Sequence, residues 1–389
     1  MKKVAFLIST IYGAGGVQRV LNEIANELVN YYEITIIHTS IDPAYGQNLF
    51  YEYDSRINII YNEEIGFRFS NFQRIIKKIH SKIGCGECSK WFEFAYYPKI
   101  TKEKMSEFLN EGKYDCVIGV TGTMSMLLAQ IRKRLNCACI GWHHNSYEAY
   151  FRTKGKYCWG QESIAKKHLI SLDACVLLTD ADVKQYKNKF LCDARRIYNP
   201  LTIECSRKST NSNRLIFCGR LVKQQKGLDY LAQILSDVLK THNDWSAIVV
   251  GDGEDKDWLV QEMEKYGVAK NVEFVGNQSN VVQYYLNSAI LVLPSRWEGF
   301  GLVVTEAFES GIPVVSFETE GPSEIIQNGV NGILIPKYNI ELFCEKLNIL
   351  MEDDNLRVQM GREAMMRAQD FSRSKIVGEW CTLISEVTK

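Results

Sequence analysis

At 389 residues the chain exceeds what one hydrophobic core usually serves, and two domains of roughly 190 residues each are expected. Its 46% hydrophobic and 11% aromatic residues exclude a disordered chain. No apolar run approaches the ~18–20 residues of a membrane-spanning helix. The zero net charge conceals an asymmetry: residues 1–198 hold 27 Lys and Arg against 20 Asp and Glu, and the remainder holds 19 against 26. A basic first half suits an anionic partner.

The opening MKKVAFLIST reads as a first strand and not as a signal peptide, because its apolar stretch is short and no cleavage site follows. A cytosolic protein is therefore expected. Gly13-Ala-Gly-Gly16 forms a loop that lets backbone N–H groups approach oxygens, and Val17 to Asn30 follows as an amphipathic helix. Tyr32 to Thr39 completes the unit as a second strand. Residues 65–105 are the least regular part and carry nine basic residues against three acidic. Within them Asn71 to Gly84 places Ile75, Ile76, Ile79 and Ile83 on one helical face, flanked by Arg74, Lys77, Lys78 and Lys82. That pattern fits either a helix packed on its own domain or one lying on an anionic membrane surface. Cys85-Gly-Glu-Cys88 has no second pair and no nearby histidine after it, so a zinc site is not expected. The other cysteines are scattered through apparent strands and helices, as small buried hydrophobes in a reducing compartment would be.

Asp115 to Val120 and Cys137 to Trp142 read as buried strands. The second ends in His143-His144-Asn145-Ser146, polar residues that point into the crevice of an open α/β sheet. Asn145, Ser146 and Glu148 are candidate acceptor contacts. Ala174 to Leu178 is the last clear strand of this half, and Pro200 stiffens the hinge that ends it. The second half opens with Leu215 to Gly219 as a strand. Arg220 and Lys226-Gly227 stand ahead of a helix, where two cations and a helix dipole suit a diphosphate, solvated surface charge being the common alternative. Ala247 to Val250 and Val272 to Gly276 are further strands. The stretch ILVLPSRWEGFGLVVTEAF, Ile290 to Phe308, is a buried strand, a glycine turn and a helix from Leu302 to about Ser310. It carries Glu298 in the turn and Glu306 in the helix. Pro313 to Phe317 is a strand, the chain is helical from Ile340, and Arg373 to Val387 is the final helix.

The spacing Glu298-x7-Glu306 around EGFGL resembles the nucleotide-sugar signature of retaining glycosyltransferases of family 4. Those are GT-B enzymes, α/β proteins with two Rossmann-like domains facing each other across a cleft. Gly219-Arg220 with Lys226-Gly227, Trp142 to Asn145, Glu320-Gly-Pro and Gly329 to Gly332 repeat the family's order. The resemblance spans nearly everything except 41–110. It implies an acceptor-side domain over 1–198, a donor domain over 199–372 and a C-terminal helix, about 373–389, crossing back onto the first.

In the roles the family implies, Arg220 and Lys226 neutralise the donor diphosphate, and Glu306 accepts from ribose hydroxyls. Backbone N–H groups of Phe300, Gly301 and Leu302 bind sugar or phosphate oxygens, and Gly15 and Gly16 face the donor. Glu298 and His144 lie beside the sugar as catalytic residues, while His143 packs or orients. The implied reaction is metal-independent, with no cofactor beyond the nucleotide-sugar donor. It moves a hexose or N-acetylhexosamine, most readily from a UDP-sugar, to a growing surface polysaccharide, lipopolysaccharide or lipid-linked glycan. A non-catalytic GT-B partner subunit and a GT-B nucleotide-sugar epimerase remain as alternatives. Nucleic acid is not an expected partner; an anionic membrane surface, met peripherally through 71–84, is.

Overall fold

The computed structural model describes residues 1–41, 49–83, 89–205 and 212–389. The chain divides into two compact units. One comprises Met1–Pro200 with Arg373–Lys389, and the other Leu201–Ser372.

Unit 1 is built on seven parallel strands: β1 (Lys3–Ile8), β2 (Glu33–His38), β3 (Asn58–Tyr61), β4 (Cys116–Val120), β5 (Ala138–Trp142), β6 (Ala174–Leu177) and β7 (Ala194–Arg196). Their order is β3-β2-β1-β4-β5-β6-β7. Every residue of β4, β5 and β6 is buried, as expected of parallel strands covered by helices on both faces. The short edge strands β3 and β7 contain partly exposed and polar residues, and neither stands out as a strand by its residues. Residues 65–105, irregular by sequence, are largely helical, with helices Asn71–Ile83, Ser89–Tyr96 and Lys99–Glu111. Cys85 and Cys88 lie outside the described residues.

The helix Arg373–Val387 belongs to unit 1. Trp380 is fully buried and packs edge-on against Trp142 at the end of β5, with ring centroids 4.9 Å apart. Arg373 pairs with Glu23 at 2.9 Å, and Arg195 pairs with Glu386. Lys2 Nζ donates to Thr388 Oγ1 at 2.6 Å, so the last residues are fastened to the first.

Unit 2 has six parallel strands: β8 (Arg214–Cys218), β9 (Ser246–Val250), β10 (Val272–Gly276), β11 (Ile290–Leu293), β12 (Val314–Phe317) and β13 (Gly332–Ile335). Their order is β10-β9-β8-β11-β12-β13. In both sheets the order reverses beside the first strand, between β1 and β4 and between β8 and β11. Such a reversal leaves a crevice beyond the carboxyl ends of the two central strands, where ligands of open α/β sheets bind.

Candidate active site

In unit 2 the crevice is bounded by the loop after β8 and the turn after β11. The first runs through Gly219 and Arg220 into the short helix Lys223–Lys226; the second runs from Pro294 to Gly301. Gly227 makes their approach possible. Its φ is +62°, and a Cβ there would lie 2.0 Å from the Pro294 carbonyl oxygen, so no other residue fits without moving that turn.

Arg296 ties the two segments together. Its N–H donates to the Gln225 carbonyl at 2.9 Å, and Nη1 donates to the Lys223 carbonyl at 2.9 Å. The guanidinium grips both carboxylate oxygens of Asp229 at 2.9 and 2.6 Å and lies 4.4 Å from the Tyr230 ring centre. Burial alone would raise the Asp229 pKa, but the Arg296 hydrogen bonds and charge outweigh it and hold the carboxyl below its ordinary range. Sequence reading misses this clamp, since partners 67 positions apart leave no local signal.

The clamp sets Lys226 against Glu298. Lys226 Nζ lies 2.6 Å from Glu298 Oε1, which also accepts from Ser295 Oγ at 2.7 Å. Glu298 is buried and the Lys226 side chain is only 12% exposed, so the pair is nearly desolvated. Removing one partner of such a pair leaves a buried charge, which costs about 3–5 kcal/mol. Arg220 is exposed on the same loop.

Beyond Glu298, Phe300 is buried with its ring 5.7 Å from Phe371. Gly301, at φ +91°, caps the helix Leu302–Glu309 with no side chain over the first turn and no acidic residue within it. A helix start of that kind favours anionic oxygens. Glu306 lies in this helix and is 2% exposed. Its Oε1 accepts from Thr202 Oγ1 at 2.7 Å and its Oε2 from Tyr285 OH at 2.8 Å. Burial, followed by the nearby Cys218 and Glu306, keeps the Tyr285 phenol protonated, and therefore a donor, far above its ordinary pKa. Glu306 is thus held in orientation by two hydroxyls, one on each carboxylate oxygen. Arg220, Lys226, Glu298, Phe300, Gly301, Leu302 and Glu306 all fall at the carboxyl ends of β8 and β11.

Gly15, Gly16 and His144 belong to unit 1. Gly15 caps the helix Gly16–Leu28 without a side chain, and no acidic residue follows in its first turn. His143 and His144 follow β5 and are both buried, at 1% and 7% exposure. The His143 ring meets the Tyr186 hydroxyl through Nδ1 at 3.2 Å and packs edge-on against Tyr150. His144 lies against Trp142, ring centroids 4.4 Å apart, and its N–H donates to Tyr150 OH at 3.1 Å. The same hydroxyl accepts from the Gly122 N–H at 3.1 Å, so Tyr150 joins the ends of β4 and β5. Burial lowers both imidazoles from 6.5 to about 3, with His143 adding to the effect on His144. Both are neutral near pH 7.

Ser146 is a correction. It is fully buried, its Oγ accepts from the Ala149 N–H at 3.2 Å, and its carbonyl accepts from the Tyr150 N–H, so it caps the next turn instead of meeting a ligand. Asn145 is half-buried and Glu148 exposed. Among the described residues no group of three or more His, Cys, Asp or Glu is arranged to hold a metal. No described helix is long and apolar enough to cross a membrane.

Residues 202–367 match the family described as Glycosyl transferases group 1. Over its whole length the chain is similar to an uncharacterized glycosyltransferase of Haemophilus influenzae, at 29% identity covering 98% of this chain and 99% of the relative. It is similar also to a Campylobacter jejuni α-1,4-N-acetyl-D-galactosaminyltransferase, whose name gives a glycan on PP-undecaprenol, at 26% identity covering 100% and 99% of the two chains. Among solved structures, a mutant of S. aureus TarM in complex with fondaparinux, α-GlcNAc-glycerol and UDP superposes with a TM-score of 0.75 at 18% identity, covering 99% of this chain and 100% of that one. The two Rossmann-like units are those of the GT-B fold.

Proposed function

We propose that this protein, whose residues 202–367 carry the group 1 glycosyl transferase pattern, is a retaining glycosyltransferase of family 4. It takes a hexose or N-acetylhexosamine from a nucleotide sugar, a UDP-sugar first of all, and adds it to a growing surface polysaccharide, lipopolysaccharide or lipid-linked glycan. The observation that carries this reading is the Lys226–Glu298 contact at 2.6 Å, held by the Arg296 clamp beside the open helix start at Gly301. A diphosphate entering there offers Lys226 a second anion, with Arg220 free to swing onto it from the surface. Glu306, fixed by Thr202 and Tyr285, accepts from the ribose hydroxyls. The N–H groups of Phe300, Gly301 and Leu302 serve oxygens of the sugar or phosphate. As the glycosidic bond to the diphosphate breaks, positive charge develops on the sugar ring, and the Glu298 carboxylate is the anion that steadies it. Within unit 1, His144 is a neutral imidazole and offers a hydrogen bond and not a charge, and Gly15 and Gly16 offer the N–H groups of an open helix start.

A panel of nucleotide sugars tested by thermal shift identifies the donor: one UDP-sugar should raise the unfolding temperature saturably, and no shift with any of them would overturn the reading. Because Arg220 and Lys226 supply the countercharge to the diphosphate, transfer needs no added cofactor and should continue in EDTA. Activity abolished by chelator and restored by Mn2+ or Mg2+ would reassign those two side chains.

The acceptor is a glycan attached to a lipid, met at the inner face of an anionic membrane. What supports this is the helix Asn71–Ile83, where Arg74, Lys78 and Ile79 are exposed and Ile75 is 56% exposed. Each basic residue near an anionic surface contributes about 1 kcal/mol. Co-sedimentation with anionic vesicles should fall as salt shortens the Debye length from roughly 10 Å at 0.1 M to 3 Å at 1 M. Changing Arg74, Lys78 and Lys82 to Gln should abolish it; pelleting that salt and the triple variant leave untouched would exclude this helix.

A further inference from the structure

The two histidines after β5 are held in different ways. The His143 ring packs against Tyr150 and Tyr186, and its Nδ1 has a hydrogen-bond partner in the Tyr186 hydroxyl. His144 stands two residues on from Trp142 and shares that residue's face, its ring 4.4 Å from the indole at an interplanar angle of 46°. Its Nε2 is buried without a partner, and among the described residues no hydrogen bond holds the ring. The aim of this imidazole is therefore set by ring packing.

Trp142 is in the same position. Its backbone is fixed in the sheet between Val120 and Val176, but its indole is buried and its Nε1 has no partner. Two rings pack against it. Phe6 of β1 lies 6.3 Å away, tilted by 53°, and Trp380 lies closer, at 4.9 Å and edge-on at 68°. Edge-on packing has a geometry that an aliphatic side chain does not reproduce.

Trp380 comes from the helix Arg373–Val387, whose buried residues Ile376, Val377, Trp380, Leu383 and Ile384 recur at helical spacing on one face. Its own Nε1 is buried and unpartnered, so what it contributes is a ring and not a hydrogen bond. The segment is fastened at both ends, by Arg373 to Glu23 and by Thr388 to Lys2. Midway, the Tyr32 hydroxyl donates to the Cys381 carbonyl at 3.3 Å, beside the indole. Three rings thus stand in line, from a pinned helix through Trp142 to His144, and only the first is fixed by contacts outside the line.

We propose that Trp380 is a positioning residue for His144, acting through the Trp142 indole, so that the last helix of unit 1 sets the aim of the imidazole at the end of β5. This rests on the reading of His144 as a residue of the transfer site. A group that must present one hydrogen bond at one place is sensitive to such a relay, since a misplacement of about 1 Å can cost about 10²-fold in rate.

The test pairs turnover with the NMR signals of the His144 ring. Trp380→Met keeps an apolar side chain in the pocket and removes the ring. It should move the His144 Cε1–H signal and lower turnover about ten- to a hundredfold, read as UDP released from the UDP-sugar that gives the largest thermal shift. The affinity for UDP should stay native, so the loss falls on kcat. Trp380→Phe keeps a ring and gives up only an unpartnered N–H, so it should restore most of the turnover. In a His144→Ala background Trp380→Met should cost nothing further, because residues that act as a unit are not additive. An equal loss in both backgrounds, or an unmoved His144 signal, overturns the proposal. Where Trp380→Met does not fold, proton contacts in the native protein decide: cross-peaks from the Trp142 ring to both Trp380 and His144 support the relay, and the absence of either overturns it. Native turnover in His144→Ala, or no thermal shift with any UDP-sugar, would overturn the reading of the transfer site and leave the ring result standing, since the NMR arm needs no substrate.

Discussion

Glu298→Gln should leave an enzyme that binds its donor and scarcely turns it over. The substitution keeps the side chain's shape and its acceptor for Ser295 but removes the negative charge that Lys226 now faces at 2.6 Å. Freed from that partner, Lys226 is wholly available to a diphosphate, so UDP affinity measured by calorimetry should hold or rise, while the ligand-free protein, its ammonium left unpaired, should lose stability. Turnover should fall about 10²- to 10³-fold, the usual result of removing one preorganised charge or dipole from a transition state. Lys226→Ala should do the reverse at the binding step. It removes a charge-assisted contact of about 1.5–3 kcal/mol, a ten- to hundredfold loss in UDP affinity. It also strands the Glu298 carboxylate, so the protein should be destabilised as well. If Glu298→Gln lost UDP binding along with turnover, or Lys226→Ala bound UDP normally, the division of labour between carboxylate and ammonium would fail.

Acid should weaken unit 1 well before carboxylates begin to titrate. Five of the six histidines lie in it, and burial lowers the pKa of all five: His38, His80, His143, His144 and His168. For His143 and His144 the folded value is about 3 against an ordinary 6.5. The unfolded imidazoles take up protons as pH falls below 6.5, and the folded ones do not until near 3. Their contribution is therefore complete above pH 6.5 and is lost progressively on the way down. Each histidine accounts for about 1.4 kcal/mol per pH unit in that window, so the pair removes roughly 4 kcal/mol by pH 5. Urea midpoints at pH 7.5, 6 and 5 measure this, and the double substitution His143→Gln with His144→Asn should flatten the dependence by that amount. An unchanged slope in the double variant would show that these imidazoles do not stay neutral.

How much of the structure is legible in the sequence follows from where each signal sits. The run ILVL and the turn EGFGL are local, and both β11 and the helix Leu302–Glu309 lie where the sequence places them. The final helix Arg373–Val387 has the expected bounds. The edge strands β3 and β7 are not legible: Asn58–Tyr61 is half exposed, and Ala194–Arg196 holds two arginines. Nor is β13, whose GILI merges into a glycine pattern. The helix at 71 is the more instructive case. Its isoleucine stripe is real, yet the helix packs through Gln73, which donates to the Phe94 carbonyl at 2.7 Å, and through His80, while Ile75 and Ile79 face outward. Periodicity finds an apolar face; only the contacts tell which face is covered. The Lys226–Glu298 contact is out of reach for the same reason as the Arg296 clamp, since each joins residues about seventy positions apart.

The return of the helix Arg373–Val387 to unit 1 also governs how the protein is made. Unit 2 is an insertion: the chain leaves unit 1 after Pro200 and re-enters it at Arg373. The ends of the insertion meet, because the Leu201 N–H donates to the Phe371 carbonyl at 2.8 Å. On the ribosome, unit 2 can therefore fold as one continuous piece while unit 1 still lacks the helix Arg373–Val387, and the pocket for Trp380 beside Trp142 stays unfilled until that helix emerges. The domain begun first is finished last. A stop codon just ahead of Thr388 would spare the whole of unit 2 and leave unit 1 without the contact between Lys2 and Thr388.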